Sequence, residues 1–167
     1  MVSFLSLATL NARSLSSPAR LYEIEAALDS VRCDVVGVTE ARLKGVGSFT
    51  MTKSKAVVYH SGGMRTERGV AFVVNERLAG EVEFGARNER VATLCLRRRK
   101  VYMVVVYAPT SASDDDEYEE CLEEVEKAVK EAPKGMTVVV MRDMNASVAR
   151  ETGKESIEGY LWKVVPG

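Results

Sequence analysis

The chain has 167 residues, 46% of them hydrophobic and 28% charged, with a formal net charge of -1. That balance excludes a disordered segment, whose low hydrophobicity could not offset chain entropy, and the length favours one domain able to bury a core. The lack of a positive excess argues against a strongly basic nucleic-acid-binding module and is neutral for an enzyme that gathers carboxylates around a cation.

Cys33, Cys95 and Cys121 are odd in number, far apart and without CxxC spacing. They argue against a disulfide framework or a zinc site and fit a reducing compartment, so a nuclear or cytoplasmic, non-secreted protein is expected. The opening MVSFLSLATL lacks a basic leading region, Ser3, Ser6 and Thr9 interrupt its apolar run, and no small-residue cleavage site follows. We read it as a buried strand. No stretch is long and apolar enough for a membrane span.

In chain order, residues 3–10 form the first expected strand. Ser17-Pro18 is a capping residue followed by proline at the first helical position. Leu21, Ile24, Leu28 and Val31 then recur on one face, predicting a helix over 18–31. Asp34–Thr39 is a nearly continuous apolar run, as in a strand covered on both faces. The middle alternates more openly. Strands are expected at 56–60, 70–75, around 82–86, at 91–96 and at 101–107, antiparallel where short turns join them. Ser113 before Asp114, Asp115 and Asp116 marks a helix start, with the hydroxyl as cap and the acids at the positive end of the dipole. Tyr118, Cys121, Leu122, Val125 and Val129 make its apolar stripe, and Pro133 and Gly135 mark its stop. Thr137–Met141 predicts a second buried strand. After Asn145 the pattern fades, and Gly153–Gly167 predicts no element. Strands mixed with two helices point to a layered α/β fold.

Polar residues follow four of these strands: Asn11, Glu40, Tyr107, and Asp143 with Asn145. Strand ends are where layered α/β folds bind ligands. The residue types suit phosphodiester hydrolysis, because an anionic diester repels water until a hard cation offsets its charge. Glu40 is a suitable oxygen ligand for magnesium. Asp143 can orient or deprotonate the attacking water. Asn11 and Asn145 can donate amide hydrogens to phosphate oxygens, and Tyr107 its phenol hydrogen. Each has an ordinary alternative. Asn11, Glu40 and the Asp143-Met144-Asn145 run could be turn formers or caps, and Tyr107 a half-buried strand aromatic. The four together shift the balance. His60, the sole histidine, is expected to be structural. Arg98, Arg99 and Lys100 form a basic hairpin tip, either a solvated turn or a sequence-independent contact to nucleic-acid backbone.

Over about residues 3–150 the order of segments resembles the endonuclease/exonuclease/phosphatase superfamily, especially the endonuclease domain of LINE-type (non-LTR) retrotransposons. Thr9-Leu10-Asn11-Ala12-Arg13 resembles that family's opening motif, Val38-Thr39-Glu40-Ala41-Arg42 its metal-binding segment, Tyr107-Ala108-Pro109-Thr110 its YAPT, and Arg142-Asp143-Met144-Asn145-Ala146 its GDFNA. Tyr59-His60-Ser61-Gly62 and Gly69-Val70-Ala71-Phe72 resemble its middle strands. The resemblance implies a four-layer α/β sandwich of two packed mixed sheets with outer helices. It also implies magnesium-dependent (or manganese-dependent) cleavage of a phosphodiester in nucleic acid, DNA by preference, with Glu40 on the metal.

Departures accompany it. Arg142 and Met144 stand where the family has glycine and phenylalanine, and the family's later Asp and Asp-His motifs do not occur. The 1–167 chain is therefore expected to be one domain, incomplete at its C-terminus, and weak or inactive. Two alternatives remain at this stage: a phosphatase of the same superfamily, and a non-catalytic remnant that serves only as a structural or nucleic-acid-binding piece.

Overall fold

A computed structural model describes residues 4–110, 112–142 and, as backbone, 161–164. Two sheets face each other. The first is built from β1 (Leu5–Asn11), β2 (Val35–Thr39), β3 (Val46–Thr50), β4 (Val57–Ser61), β5 (Val70–Val74) and β10 (Leu161–Val164), in the order β10-β1-β2-β5-β4-β3. The second holds β6 (Val82–Ala86), β7 (Val91–Leu96), β8 (Val101–Val106) and β9 (Thr137–Arg142), in that order. Each sheet has one parallel pair, β1 with β2 and β8 with β9, and the other pairs are antiparallel. The parallel pairs are those bridged by a helix, α1 (Pro18–Val31) and α2 (Asp115–Lys130), since a parallel return needs a crossover.

Three apolar layers follow from strand alternation. Leu7, Val35, Phe72, Val74, Leu94, Met103 and Met141 fill the space between the sheets. Leu10, Val36, Val38, Ala71 and Val73 face the other way and pack with Ile24, Leu21 and Leu28 of α1. Val91, Tyr102, Val104 and Val106 pack with Cys121, Ala128 and Val125 of α2. The result is the expected helix–sheet–sheet–helix sandwich. Gly37 of β2 lets the sheets close, because a Cβ there would lie 3.1 Å from the Met141 sulfur.

Several expectations are corrected. β3 is absent from the sequence reading because it is an edge strand with Gly47 and Ser48 in it and alternating exposure, a weak signal. β10 falls in the stretch expected to hold no element. β9 is expected to be buried on both faces, yet Val138 and Val140 are 38% and 48% exposed. Among the described residues it pairs with β8 alone; Met141 is buried in the core and Val139 packs against it half-buried. Val31, Tyr118 and Leu122 lie on the helical stripes but are exposed. Ser17 caps α1 as expected, accepting from the Arg20 amide at 3.2 Å. α2 is capped by Asp114, not Ser113, through the Glu117 amide at 2.8 Å.

Candidate functional site

The register brings the chemistry to one pole. Asn11 ends β1 opposite Thr39, which ends β2 and precedes Glu40. Val70, which starts β5, lies opposite Thr39. In the second sheet Val91 starts β7 opposite Val106, whose neighbour is Tyr107, and Val106 pairs with Arg142. Backbone bonds stitch the loops together here. The amides of Ala41 and Arg42 donate to the carbonyls of Gly69 and Arg68 at 2.9 and 3.0 Å, that of Gly69 to Glu89 at 3.1 Å, and that of Tyr107 to Arg90 at 2.8 Å.

Asn11 and Glu40 meet directly. The Asn11 Nδ2 donates to Glu40 Oε1 at 2.9 Å, while Asn11 Oδ1 accepts the Arg13 amide at 3.2 Å. A backbone amide can only donate, so the orientation of the side-chain amide is set, and one of its hydrogens must face the carboxylate. The second carboxylate oxygen, Oε2, accepts Arg42 Nη2 at 3.1 Å. Glu40 (φ 50°) and Arg42 (φ 53°) both occupy the left-handed region. Such strain is held only where surroundings over-determine it, and it clusters at working sites. The strained turn aims both side chains at the same spot.

Tyr107 stands on the second sheet beside this pair. Burial pushes its phenol above the ordinary value, and the negative charge of Glu40 pushes the same way, with Arg90, Arg42 and Arg68 opposing. Buried Arg90 holds the ring from behind. Its guanidinium lies 5.4 Å from the ring centroid, Nη1 donates to the Tyr107 carbonyl at 3.0 Å, and Nη2 pairs with Glu117 of α2. Glu117 also receives Arg68 at 2.8 Å, and Arg68 pairs with Glu89 at 2.8 Å. The hydrogen bond from Arg90 chiefly holds the Glu117 carboxyl below the usual glutamate range. This network ties α2 and both sheets to the site. The sequence reading passes over Arg68 and Arg90, because a lone arginine beside a turn carries no spacing signal, and Glu117 is legible there only as part of an acidic, solvated helix start.

Of the sequence candidates, Asn11, Glu40 and Tyr107 are brought together. Asp143 and Asn145 lie outside the described residues; β9 ends one residue before them, at the Tyr107 end of its sheet. Arg98, Arg99 and Lys100 lie at the opposite end of β8, in a short 3₁₀ turn. There Arg97 pairs with Glu83, and Arg99 approaches Glu81 at 3.8 Å. His60 Nδ1 donates to the Gly45 carbonyl at 3.1 Å, a tether for edge strand β3. A cleft of about 410 Å³ lies at the far pole, between Glu25, Cys33, Asp34 and Arg77. Two of its acids are already engaged: Glu25 accepts the amides of Lys53 and Ser54, and Asp34 accepts the Ser6 amide and pairs with Arg77.

No protein-family model matches the chain. Solved structures do. An AP endonuclease from Archaeoglobus fulgidus superposes with a TM-score of 0.61 at 20% identity, over 84% of this chain and 57% of that one. The two chains share one two-sheet α/β fold. The 3' phosphatase NExo from Neisseria, bound to a product DNA hairpin, matches with a TM-score of 0.53 at 19% identity over 87% and 59% of the two chains. D. rerio TDP2, in complex with a single-strand DNA product, gives 0.56 at 15% identity over 86% and 62%. Among curated proteins, craniofacial development protein 2 of Tragulus javanicus is 26% identical over 157 residues. That alignment takes in 92% of this chain but spans only 26% of the relative's length.

Proposed function

We propose that the protein is a divalent-cation-dependent phosphodiester hydrolase acting on nucleic acid, DNA by preference, of the kind found in LINE-type retrotransposon endonucleases. The observation that carries this reading is the Asn11–Glu40 contact at 2.9 Å, on a strained turn facing Tyr107 in a fold shared with DNA-bound relatives.

The donor chemistry fits a hard cation. Among the described residues no group of three or more His, Cys, Asp and Glu could hold a metal ion. Glu40 offers a hard carboxylate oxygen, which suits magnesium, or manganese in its place, since magnesium takes one or two carboxylates and keeps several waters. Glu40 would hold the ion through its carboxylate. When bound, the ion supplies the positive charge that lets an anionic diester accept a nucleophile.

The chain's own residues do the rest. Asn11 fixes the rotation of the Glu40 carboxylate. Tyr107, its phenol kept protonated by burial and by Glu40, donates to a non-bridging phosphate oxygen. Arg90 keeps the Tyr107 ring from turning away. In this reading Asp143 orients the attacking water and accepts its proton, and Asn145 donates to the phosphate.

Nicking of supercoiled plasmid tests the proposal. Purified chain should nick weakly with magnesium, fail with chelator, and lose that activity in Glu40→Ala. A folded chain that nicks neither DNA nor RNA and releases no phosphate from phosphomonoesters under any divalent cation refutes the hydrolase reading and leaves the non-catalytic one. Release of phosphate from small phosphomonoesters without nicking favours a phosphatase.

A further inference from the structure

Glu40 has two carboxylate oxygens, and both are engaged: Oε1 by Asn11 and Oε2 by Arg42 at 3.1 Å. The two partners differ in kind. Asn11 is neutral and is held by the Arg13 amide, so it can remain while a cation approaches. Arg42 is a full positive charge on the oxygen that the cation needs. Two like charges cannot share one carboxylate oxygen at contact distance without strong repulsion.

Arg42 is also poorly satisfied where it rests. Its Nε is buried with no hydrogen-bond partner among the described residues. A buried unpaired N–H is unfavourable, so leaving this position removes a penalty as well as a contact. The backbone beneath it does not yield, since its amide is bonded to the Arg68 carbonyl and its neighbour Ala41 to Gly69. The side chain, 43% exposed, is the part free to swing, and it swings about a point two residues from Glu40. A planar guanidinium released there faces whatever anion the cation has drawn in, and matches two phosphate oxygens at once.

We infer that Arg42 is a substrate-phosphate ligand stored on Glu40: it holds the carboxylate until a cation displaces it, and then binds the phosphate. This rests on the proposed cation-dependent activity at Glu40. It makes cation and phosphate binding mutually reinforcing, because each favours the same position of Arg42 and the coupling is reciprocal.

Calorimetric titration of manganese, with and without inorganic phosphate, tests this on the wild-type chain, Glu40→Ala, Arg42→Ala and Arg42→Lys. Without phosphate, Arg42→Ala should bind manganese on the order of 10-fold tighter than wild type, about 1.4 kcal/mol, because the competing charge is gone. Phosphate should tighten manganese binding to wild type several-fold more than to Arg42→Ala. Arg42→Lys, which keeps the charge and loses the planar fork, should bind manganese alone like wild type and show intermediate coupling. Wild-type manganese affinity in Arg42→Ala, or equal phosphate coupling in wild type and Arg42→Ala, overturns the inference while leaving Glu40 as the cation ligand. Undiminished manganese binding in Glu40→Ala overturns the cation site itself, and this inference with it.

Discussion

Arg90→Met asks how much the arginine behind Tyr107 contributes. Methionine keeps much of the apolar stem volume, so packing loss is small. What goes is the ion pair to Glu117, the hydrogen bond to the Tyr107 carbonyl at 3.0 Å, and the stacking at 5.4 Å. A hydrogen bond to a charged group contributes about 1.5–3 kcal/mol, and the stacking about 0.5–1 kcal/mol. The larger penalty for stranding a buried charge does not apply in full, because Glu117 is 27% exposed and keeps Arg68 at 2.8 Å. The expected destabilisation is therefore about 2–4 kcal/mol. Urea unfolding of Arg90→Met, Glu117→Gln and the double variant gives the coupling, expected at about 1–2 kcal/mol. The acid limb carries a second signature. Glu117 has a depressed folded pKa, so its contribution is present above the unfolded glutamate value of about 4.3 and is lost as pH falls through the lower folded one. Arg90→Met should flatten that limb. A variant within about 0.5 kcal/mol of wild type, the range of ordinary surface changes, or additive single variants, would refute the reasoning.

Tyr107→Phe should lower the nicking rate on the order of 10²-fold, as when one positioned donor is removed. Because burial and Glu40 raise the phenol, its deprotonation should leave no alkaline limb below about pH 10 in the wild-type pH–rate profile; a limb there that vanishes in Tyr107→Phe contradicts the assignment. Glu25→Ala should cost about 1–3 kcal/mol by stranding the Lys53 and Ser54 amides, as read by thermal melting. Burial opposes ionisation of Glu25, but the bonds from Ser54 and Lys53 outweigh it and lower its pKa. The wild-type advantage over Glu25→Ala should thus shrink as pH falls below about 4. Arg32, at the end of α1, has φ 53° and donates its amide to the Leu28 carbonyl. Arg32→Gly should stabilise by about 0.5–1 kcal/mol, the left-handed strain relieved less the entropy of glycine, and an unchanged or lower Tm would count against it. Phe72→Ala, at the centre of the inter-sheet core, should cost about 3–5 kcal/mol.

The sequence by itself determined the elements whose reason is local. Leu21, Ile24 and Leu28 at helical spacing after Ser17-Pro18 give α1 with its cap. The run Val35–Thr39 becomes a wholly buried strand, because a strand covered on both faces must be apolar on both. Asn11, Glu40 and Tyr107 stood out because polar side chains closing apolar strands are legible one segment at a time. Tertiary structure decided what depends on pairing. How far Thr137–Met141 is covered could not be read from its composition, since an exposed valine and a core valine are the same residue. Arg90, Glu117 and Arg68 gained meaning only when α2 was laid across the second sheet. The contact of Asn11 with Glu40, 29 residues apart, exists because β1 and β2 pair in parallel and in register. Local spacing dictates which segments can form; only long-range pairing decides which side chains share a carboxylate.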